Sequence, residues 1–580
     1  MVDSRCNEAS VLPPEPRTAD HLPGHRRTVR RASLFASMLA VLALLAGACG
    51  SDDGSSEDGD GTETETAAEG EPSYGGELRY AIEAANSGGW CLPEAELAIS
   101  GIQVAKAIYD TLTAPNADGE YVPFLAQSVE PNETFDQWTI TLREGVKFHD
   151  GTDLTAEVVK NNLDAYRGEY PARQPLLTVF VFENLTSVDI VDDLTLTVTT
   201  ASPWPAFPAY LYYSGRIGIM AQAQLDDQEF CDSDLIGTGP FVFEDWVPGD
   251  TLSATRNENY WMSDSDGNQL PYLDEVEFVT ITEPTVRTNA LLSGDINALH
   301  NTSASETEAL RAAADDGDVK IYESTAGAES SYLLFNSGKA PFNNILARQA
   351  AAYALDREEM RQVVYLDINE IASGPFAPGV MGYLEDTGMP EHDLEMAKDL
   401  VAQYESETGE PFEFTAVILN TGTSIQTAQF VQEQFKQAGI TMNIRQVEQA
   451  AEIDTALGDD WEMLDWRQHP GDDPDTQYIW WASGLPTNFN KMEDPEIDRL
   501  LEEGRVETDP AKRTEIYEEL NRYFAEQLYN VWTVWVNAVI ATADDVDGIN
   551  GVFGPNLPDG SAPTEILGGG HPITGMWIAS

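Results

Sequence analysis

Cys49 is the residue whose surroundings limit its chemistry most narrowly. It lies behind Leu45 and the small residues Ala46-Gly47-Ala48, which a processing peptidase accepts. Cleavage before Cys49 would leave its thiol free to take up a lipid. Position 46 holds Ala where lipid-attachment motifs usually carry Leu. Once Cys6 is lost with the leader and Cys49 is acylated, Cys91 and Cys231 remain. An even pair in an oxidising compartment is the arithmetic of one disulfide. Catalytic signatures are missing: no GxxxxGKS/T phosphate loop, HExxH, CxxC or GxSxG occurs. His149, His300, His392, His469 and His571 are scattered singly, so a histidine metal site would need long-range convergence. Neither a metal nor a cofactor is expected. Paired carboxylates of the glycosidase kind are uninformative in a chain with 99 Asp and Glu residues.

Asn420-Thr421-Gly422-Thr423 stands between a strand-like and a helix-like run, where backbone N–H groups can meet a polar ligand group or simply form a capped turn. Asn86-Ser87-Gly88-Gly89-Trp90 follows the first strand-like run, and Trp90 offers a ring for stacking on a ligand.

The elements around these residues fall into distinct stretches. Arg26, Arg27, Arg30 and Arg31 precede an apolar run over 32–46. That is shorter than the roughly 20 residues of a bilayer span and suits the core of a signal peptide, so 1–48 is expected to be removed. Residues 49–72 are acidic and almost free of apolar side chains, the composition of a disordered tether. The remaining five hundred or so residues are enough for two or three lobes with large cores. Alternation at period two predicts strands over 75–82 and 137–146; strand-like runs follow at 186–191, 194–199 and 241–246, and a helical pattern covers 105–112. Further on, helices at 346–354, 396–404, 425–438, 497–501 and 516–528 alternate with strands at 413–419, 440–447 and 461–466, the pattern of a parallel α/β lobe. Strand character returns near 531. One lobe split around an inserted second lobe follows: lobe I over 73–325 and 532–580, lobe II over 326–531. Two lobes joined by crossing strands make a hinge and a cleft.

The charge balance of 32 basic against 99 acidic residues, −67 in all, disfavours nucleic acid and anionic lipid as partners. It suits cationic ligands, or a saline habitat in which dense carboxylates keep a protein hydrated.

Several stretches, in order, resemble the family-5 extracellular solute-binding proteins, the peptide- and nickel-type receptors of ABC importers. They are Ala107-Ile108-Tyr109-Asp110-Thr111-Leu112, Leu142-Arg143-Glu144-Gly145-Val146-Lys147-Phe148-His149-Asp150-Gly151, Gly237-Thr238-Gly239-Pro240-Phe241, Arg256-Asn257-Glu258-Asn259-Tyr260-Trp261, and Ala347-Arg348-Gln349-Ala350 with Ala354-Leu355-Asp356-Arg357. Most of these read as scaffold: His149-Asp150-Gly151 as a turn, Arg348 as an internal hydrogen-bond donor, Trp261 as core. The resemblance implies a two-lobed, periplasmic-binding-protein-like α/β fold with a discontinuous first lobe, a hinge and an inter-lobe ligand cleft. It implies a monomeric receptor, anchored through Cys49 at the outer face of the cytoplasmic membrane, that hands a small solute or peptide to ABC permease subunits. A sensory binding protein on the same scaffold is the alternative, and a secreted hydrolase a remote one.

The resemblance also singles out Trp466-Arg467-Gln468-His469-Pro470-Gly471-Asp472-Asp473-Pro474-Asp475. Peptide-binding relatives carry an aspartate three residues after the tryptophan, where it pairs with the peptide amine. Here that place holds His469, and one extra residue precedes Asp-Pro-Asp, so the carboxylate is missing or displaced to Asp472. The candidate ligand residues are therefore Trp466, His469, Asp472, Asp473, Asn420, Thr421, Gly422, Trp90 and Asn86.

Overall fold

Strand β1 (Glu77–Ile82) buries Leu78 and Tyr80 at alternate positions, as its period-two pattern requires. The computed structural model that shows this describes residues 71–86, 88–95, 97–325, 327–468, 473–549, 555–564 and 572–579. Cys49, the expected leader and the tether up to residue 70 lie outside them, as do His469 and Asp472.

The first helix, α1, runs Ile99–Ile108 rather than over the expected 105–112. The chain leaves the helix at Tyr109 because Asp110 is drawn into a buried cluster. Its carboxylate accepts hydrogen bonds from Trp261 Nε1 (2.9 Å), Thr238 Oγ1 (2.9 Å) and Tyr260 Oη (3.2 Å). Burial pushes the Asp110 carboxyl up to about 6 in spite of these three donors. The glycines of Gly237-Thr238-Gly239-Pro240 serve the same contact: a Cβ at Gly237 would stand 1.9 Å from the Ile108 carbonyl oxygen. His149 closes the cluster, with Nε2 at 3.0 Å from the Gly239 carbonyl and Nδ1 accepting from the Gly237 N–H (3.3 Å). Its desolvation, only partly offset by the Gly239 bond, lowers the imidazole to about 4, so the ring is neutral. These family-like stretches are one packed unit.

The remaining strands of the three larger sheets follow in chain order. They are β2 (Ala126–Pro131), β3 (Gln137–Leu142), β4 (Leu185–Asp192), β5 (Thr195–Thr200), β6 (Phe241–Val247), β7 (Thr251–Arg256), β8 (Glu275–Thr280), β9 (Ala298–Asn301), β10 (Val319–Ser324), β11 (Ser330–Phe335), β12 (Glu413–Leu419), β13 (Thr441–Val447), β14 (Met463–Gln468), β15 (Asn530–Trp535) and β16 (Ala538–Ala543). Among the described residues, a seven-stranded mixed sheet has the order β10-β16-β9-β1-β8-β7-β6, and β2-β3-β5-β4 form an antiparallel sheet beside it in sequence. A five-stranded sheet has the order β13-β12-β14-β11-β15, in which β12 runs parallel to both β13 and β14.

The fold is a two-lobed α/β architecture. The chain passes from the seven-stranded to the five-stranded sheet between Ser324 and Ser330 and returns between Trp535 and Ala538. Residues 532–535, which the sequence pattern gives to the returning segment, stay in the five-stranded sheet because β15 pairs with β11. The two crossings are tied together where the Val536 N–H donates to the Glu329 carbonyl (2.8 Å). β11 and β15 are buried at every position, which leaves them no solvent face to alternate. Cys91 and Cys231 are joined in a disulfide. No helix among the described residues is long and apolar enough to cross a membrane.

Candidate functional site

The two crossings form the floor of a small cavity lined by Glu83, His300, Thr302, Glu329 and Arg467. β1 delivers Glu83 at its end, β9 carries His300, and β14 carries Arg467 from the other sheet. The Glu83 carboxylate accepts from the Thr302 N–H (2.9 Å), lies 3.1 Å from Arg287 Nη2 and 3.5 Å from His300 Nδ1. Burial works to raise its pKa, but the hydrogen bond and charge of His300, with Arg287 and Arg467, win and hold it well below the ordinary carboxylate range. Arg467 reaches across the floor, 3.5 Å from Glu329 and 3.4 Å from Thr302 Oγ1. Burial raises Glu329 in spite of Arg467, and the Glu329 charge in turn raises Arg467. His300, 6 % exposed, has a buried Nε2 without a hydrogen-bond partner among the described residues. Arg467 itself keeps 44 % of its side chain open to solvent. The floor is thus charged, nearly balanced and reachable from one side.

Beyond Arg467 lies the carboxyl edge of the parallel strands β12, β13 and β14. Helix α2 (Gly422–Gln437) starts after β12, capped by Thr421, whose Oγ1 accepts from the Ser424 N–H (3.3 Å). Helix α3 (Gln449–Leu457) starts after β13. Asn420 Nδ2 donates to Glu448 Oε1 (3.3 Å), linking the two helix starts. Asp465 is two residues before Arg467 and on the same face of β14, and the Ser424 side chain at the start of α2 favours its charged form. Glu452, in the first turn of α3, is 5 % exposed, and its Oε1 has no hydrogen-bond partner among the described residues. Burial outweighs the Ser424 bond and the Arg467 charge and pushes the Asp465 carboxyl up to about 6. Burial, with repulsion from Asp465, lifts Glu452 to about 9 against the pull of Arg467. Tyr365, 3.5 Å from Thr427, is raised to about 12 by burial and the Asp465 charge. In open α/β sheets, ligands bind beyond the carboxyl ends of parallel strands, where successive connections diverge. β12 is that point: one connection leads from it to β13, and the next leads from β13 to β14 on its other side.

The profile of the bacterial extracellular solute-binding proteins, family 5 (middle), matches residues 120–490. The chain belongs to this family. It is 26 % identical over 435 residues to the glutathione-binding protein GsiB of Salmonella paratyphi A, covering 72 % of this chain and 81 % of that one. It is also 26 % identical over 446 residues to the probable D,D-dipeptide-binding periplasmic protein DdpA of Escherichia coli K12, covering 75 % and 82 %. In fold it is similar to the oligopeptide-binding protein AppA from Bacillus subtilis in complex with a nonapeptide, with TM-score 0.74 and 21 % identity over 88 % of this chain and 100 % of that one.

Within this family-5 frame the sequence-chosen residues separate into groups. Asn420, Thr421 and Gly422 stand exposed at the carboxyl edge, and a Cβ at Gly422 would meet nothing. Trp466 is on β14 but on the face opposite Asp465 and Arg467, half-buried against Phe489 with ring centroids 5.2 Å apart. Asp473 is turned inward: it caps the short turn Pro474–Gln477 and holds Arg513, with Nη1 at 2.5 Å. Its charge is already matched inside the protein. Asp475 goes the same way, accepting from Trp204 Nε1 (2.7 Å) and Arg505 Nε (3.0 Å). Trp90 is buried edge-to-face on Trp246, 5.9 Å between centroids, and Asn86 Nδ2 donates to the Gly89 carbonyl (2.6 Å). Both line a second small cavity with Val104 and Asp250, apart from the Arg467 floor. Sequence reasoning missed Glu83, His300, Glu329, Glu452, Asp465 and Arg467. The available signal was Asp465 and Arg467 alternating with apolar residues in a strand, and the general density of acids hid it.

Proposed function

We propose that this protein is the solute-binding component of an ABC importer, taking a small polar or peptide-like solute between its lobes and presenting the closed form to the permease. The observation that carries this reading is the charged floor where two crossing segments join the sheets. Glu83 and His300 from one lobe there face Glu329 and Arg467 from the other. Closure removes water from such groups and strengthens each polar contact with the solute. A solute shifts the molecule toward closure only by its differential affinity for the two forms. No covalent step enters.

Family membership and the curated relatives, named for glutathione and D,D-dipeptide, support this reading. The proposal includes lobe limits near 325 and 535, a monomer, and a lipid on Cys49 that keeps the body at the outer face of the cytoplasmic membrane. Small-angle scattering with and without solutes tests the closure: a bound solute that leaves the radius of gyration unchanged refutes it. Replacing Cys49 with Ser is expected to shed the protein from membranes into the medium. Retention of Cys49→Ser on membranes would remove the lipid anchor from the reading.

A further inference from the structure

We propose that Glu452 and Asp465 form a subsite for a cationic nitrogen of the captured solute, an ammonium or guanidinium group. The inference rests on the solute-capture reading and deepens it.

Three independent features converge on it. The first is place. Asp465 is near the end of β14 and Glu452 in the first turn of α3, both at the carboxyl edge where the connections from β12 and to β14 diverge. The second is an unmet acceptor. Glu452 is buried, yet Oε1 finds no donor among the described residues. A buried carboxyl oxygen without a partner costs free energy, and native structures supply partners for nearly all such atoms. Arg467, the cation nearest in charge effect, lies 3.5 Å from Glu329 and 3.4 Å from Thr302 Oγ1, and its charge also acts on Asp465 and Glu452. The third is sign. The Asp465 charge disfavours the ionised form of Glu452. An anionic group brought here would meet both carboxyls, whereas a cationic N–H group would donate to both.

The empty and filled states differ by a proton. With burial and Asp465 raising it to about 9, the Glu452 carboxyl keeps its proton at pH 7. An incoming cation favours the carboxylate, so the O–H bond breaks, the proton leaves to solvent, and the oxygens accept from the cationic nitrogen. Asp465 and Arg467 are the charged groups that act on Glu452, with Tyr365 beside Asp465.

The test uses the full-length protein and matched probes in a thermal-shift panel. Arginyl dipeptides are set against citrullinyl ones, lysyl against norleucyl ones, and agmatine and putrescine against neutral sugars and dicarboxylates. Titration calorimetry then follows in two buffers of different ionisation enthalpy. The expected result is that stabilising probes carry a cationic nitrogen and lose about tenfold or more in affinity when it is made neutral. Release of up to about one proton per ligand at pH 7 should accompany binding. Glu452→Gln should retain the fold, lose about tenfold or more in affinity for the cationic probe and abolish the proton release. Asp465→Asn serves as a second variant and should weaken the same probes. Neutral probes that bind equally well to the protein and to Glu452→Gln would overturn the subsite and leave solute capture standing. A panel with no stabilising probe at all would overturn both.

Discussion

Glu452→Gln is expected to stabilise the unliganded protein, and by an amount that grows with pH. The carboxyl titrates at about 4.5 as a free side chain and at about 9 in the folded protein, because burial and the Asp465 charge disfavour its ionised form. Its folded value is raised, so its contribution to stability is fully present below pH 4.5 and is lost as pH rises toward 9. In that window the unfolded chain has released the proton and the folded one still holds it. Each pH unit costs about 1.4 kcal/mol, so at pH 7 the acid withholds on the order of 3 kcal/mol. Glutamine has nearly the same shape and no proton to lose. Its stability relative to the parent should be under about 1 kcal/mol at pH 5 and rise through pH 8. Urea midpoints of both proteins at pH 5, 6, 7 and 8, with scattering used to check that the folded forms match, give the difference directly. A gap that stays constant with pH, or a variant less stable than its parent at pH 8, would refute the electrostatic reasoning. Asp465→Asn removes the repelling neighbour and should flatten the same profile in part.

The buried pair of Asp475 (1 % exposed) and Arg505 joins the turn after β14 to Trp204 and Tyr210, and Arg505 also lies over the Tyr478 ring at 3.6 Å. Arg505→Met leaves Asp475 buried without its counter-charge and should cost about 3–5 kcal/mol in urea unfolding followed by tryptophan fluorescence. A loss under about 1 kcal/mol would show that Trp204 and Tyr210 suffice. The Cys91–Cys231 bond closes 140 residues of chain. Its reduction should lower stability by about 2–5 kcal/mol, seen as a fall in Tm with a phosphine reductant, and an unchanged Tm would exclude that role.

Much of the scaffold was readable because local patterns and their tertiary outcome agree. Period-two alternation placed β1 and β3, strand-like runs placed β5 and β12, and Thr421 with Asn420 marked the start of α2. Where local and tertiary demands differ, the reading slipped. α1 ends early because Asp110 is claimed by three donors from 128 to 151 residues away. β15 stays with the five-stranded sheet because its partner β11 is about 200 residues earlier in the chain.

The site followed the same division. The order of the motifs alone determined the family, the two-lobed plan and the strand-to-helix turn at Asn420-Thr421-Gly422, since each depends on residues near one another in sequence. Tertiary structure alone decided which acids matter. Asp473 and Asp475 pair with Arg513 and Arg505, while Glu83 meets His300 and Glu452 Oε1 has no donor among the described residues. A carboxylate's role depends on whether a counter-charge or only low-dielectric protein surrounds it, and chain neighbours do not specify that environment.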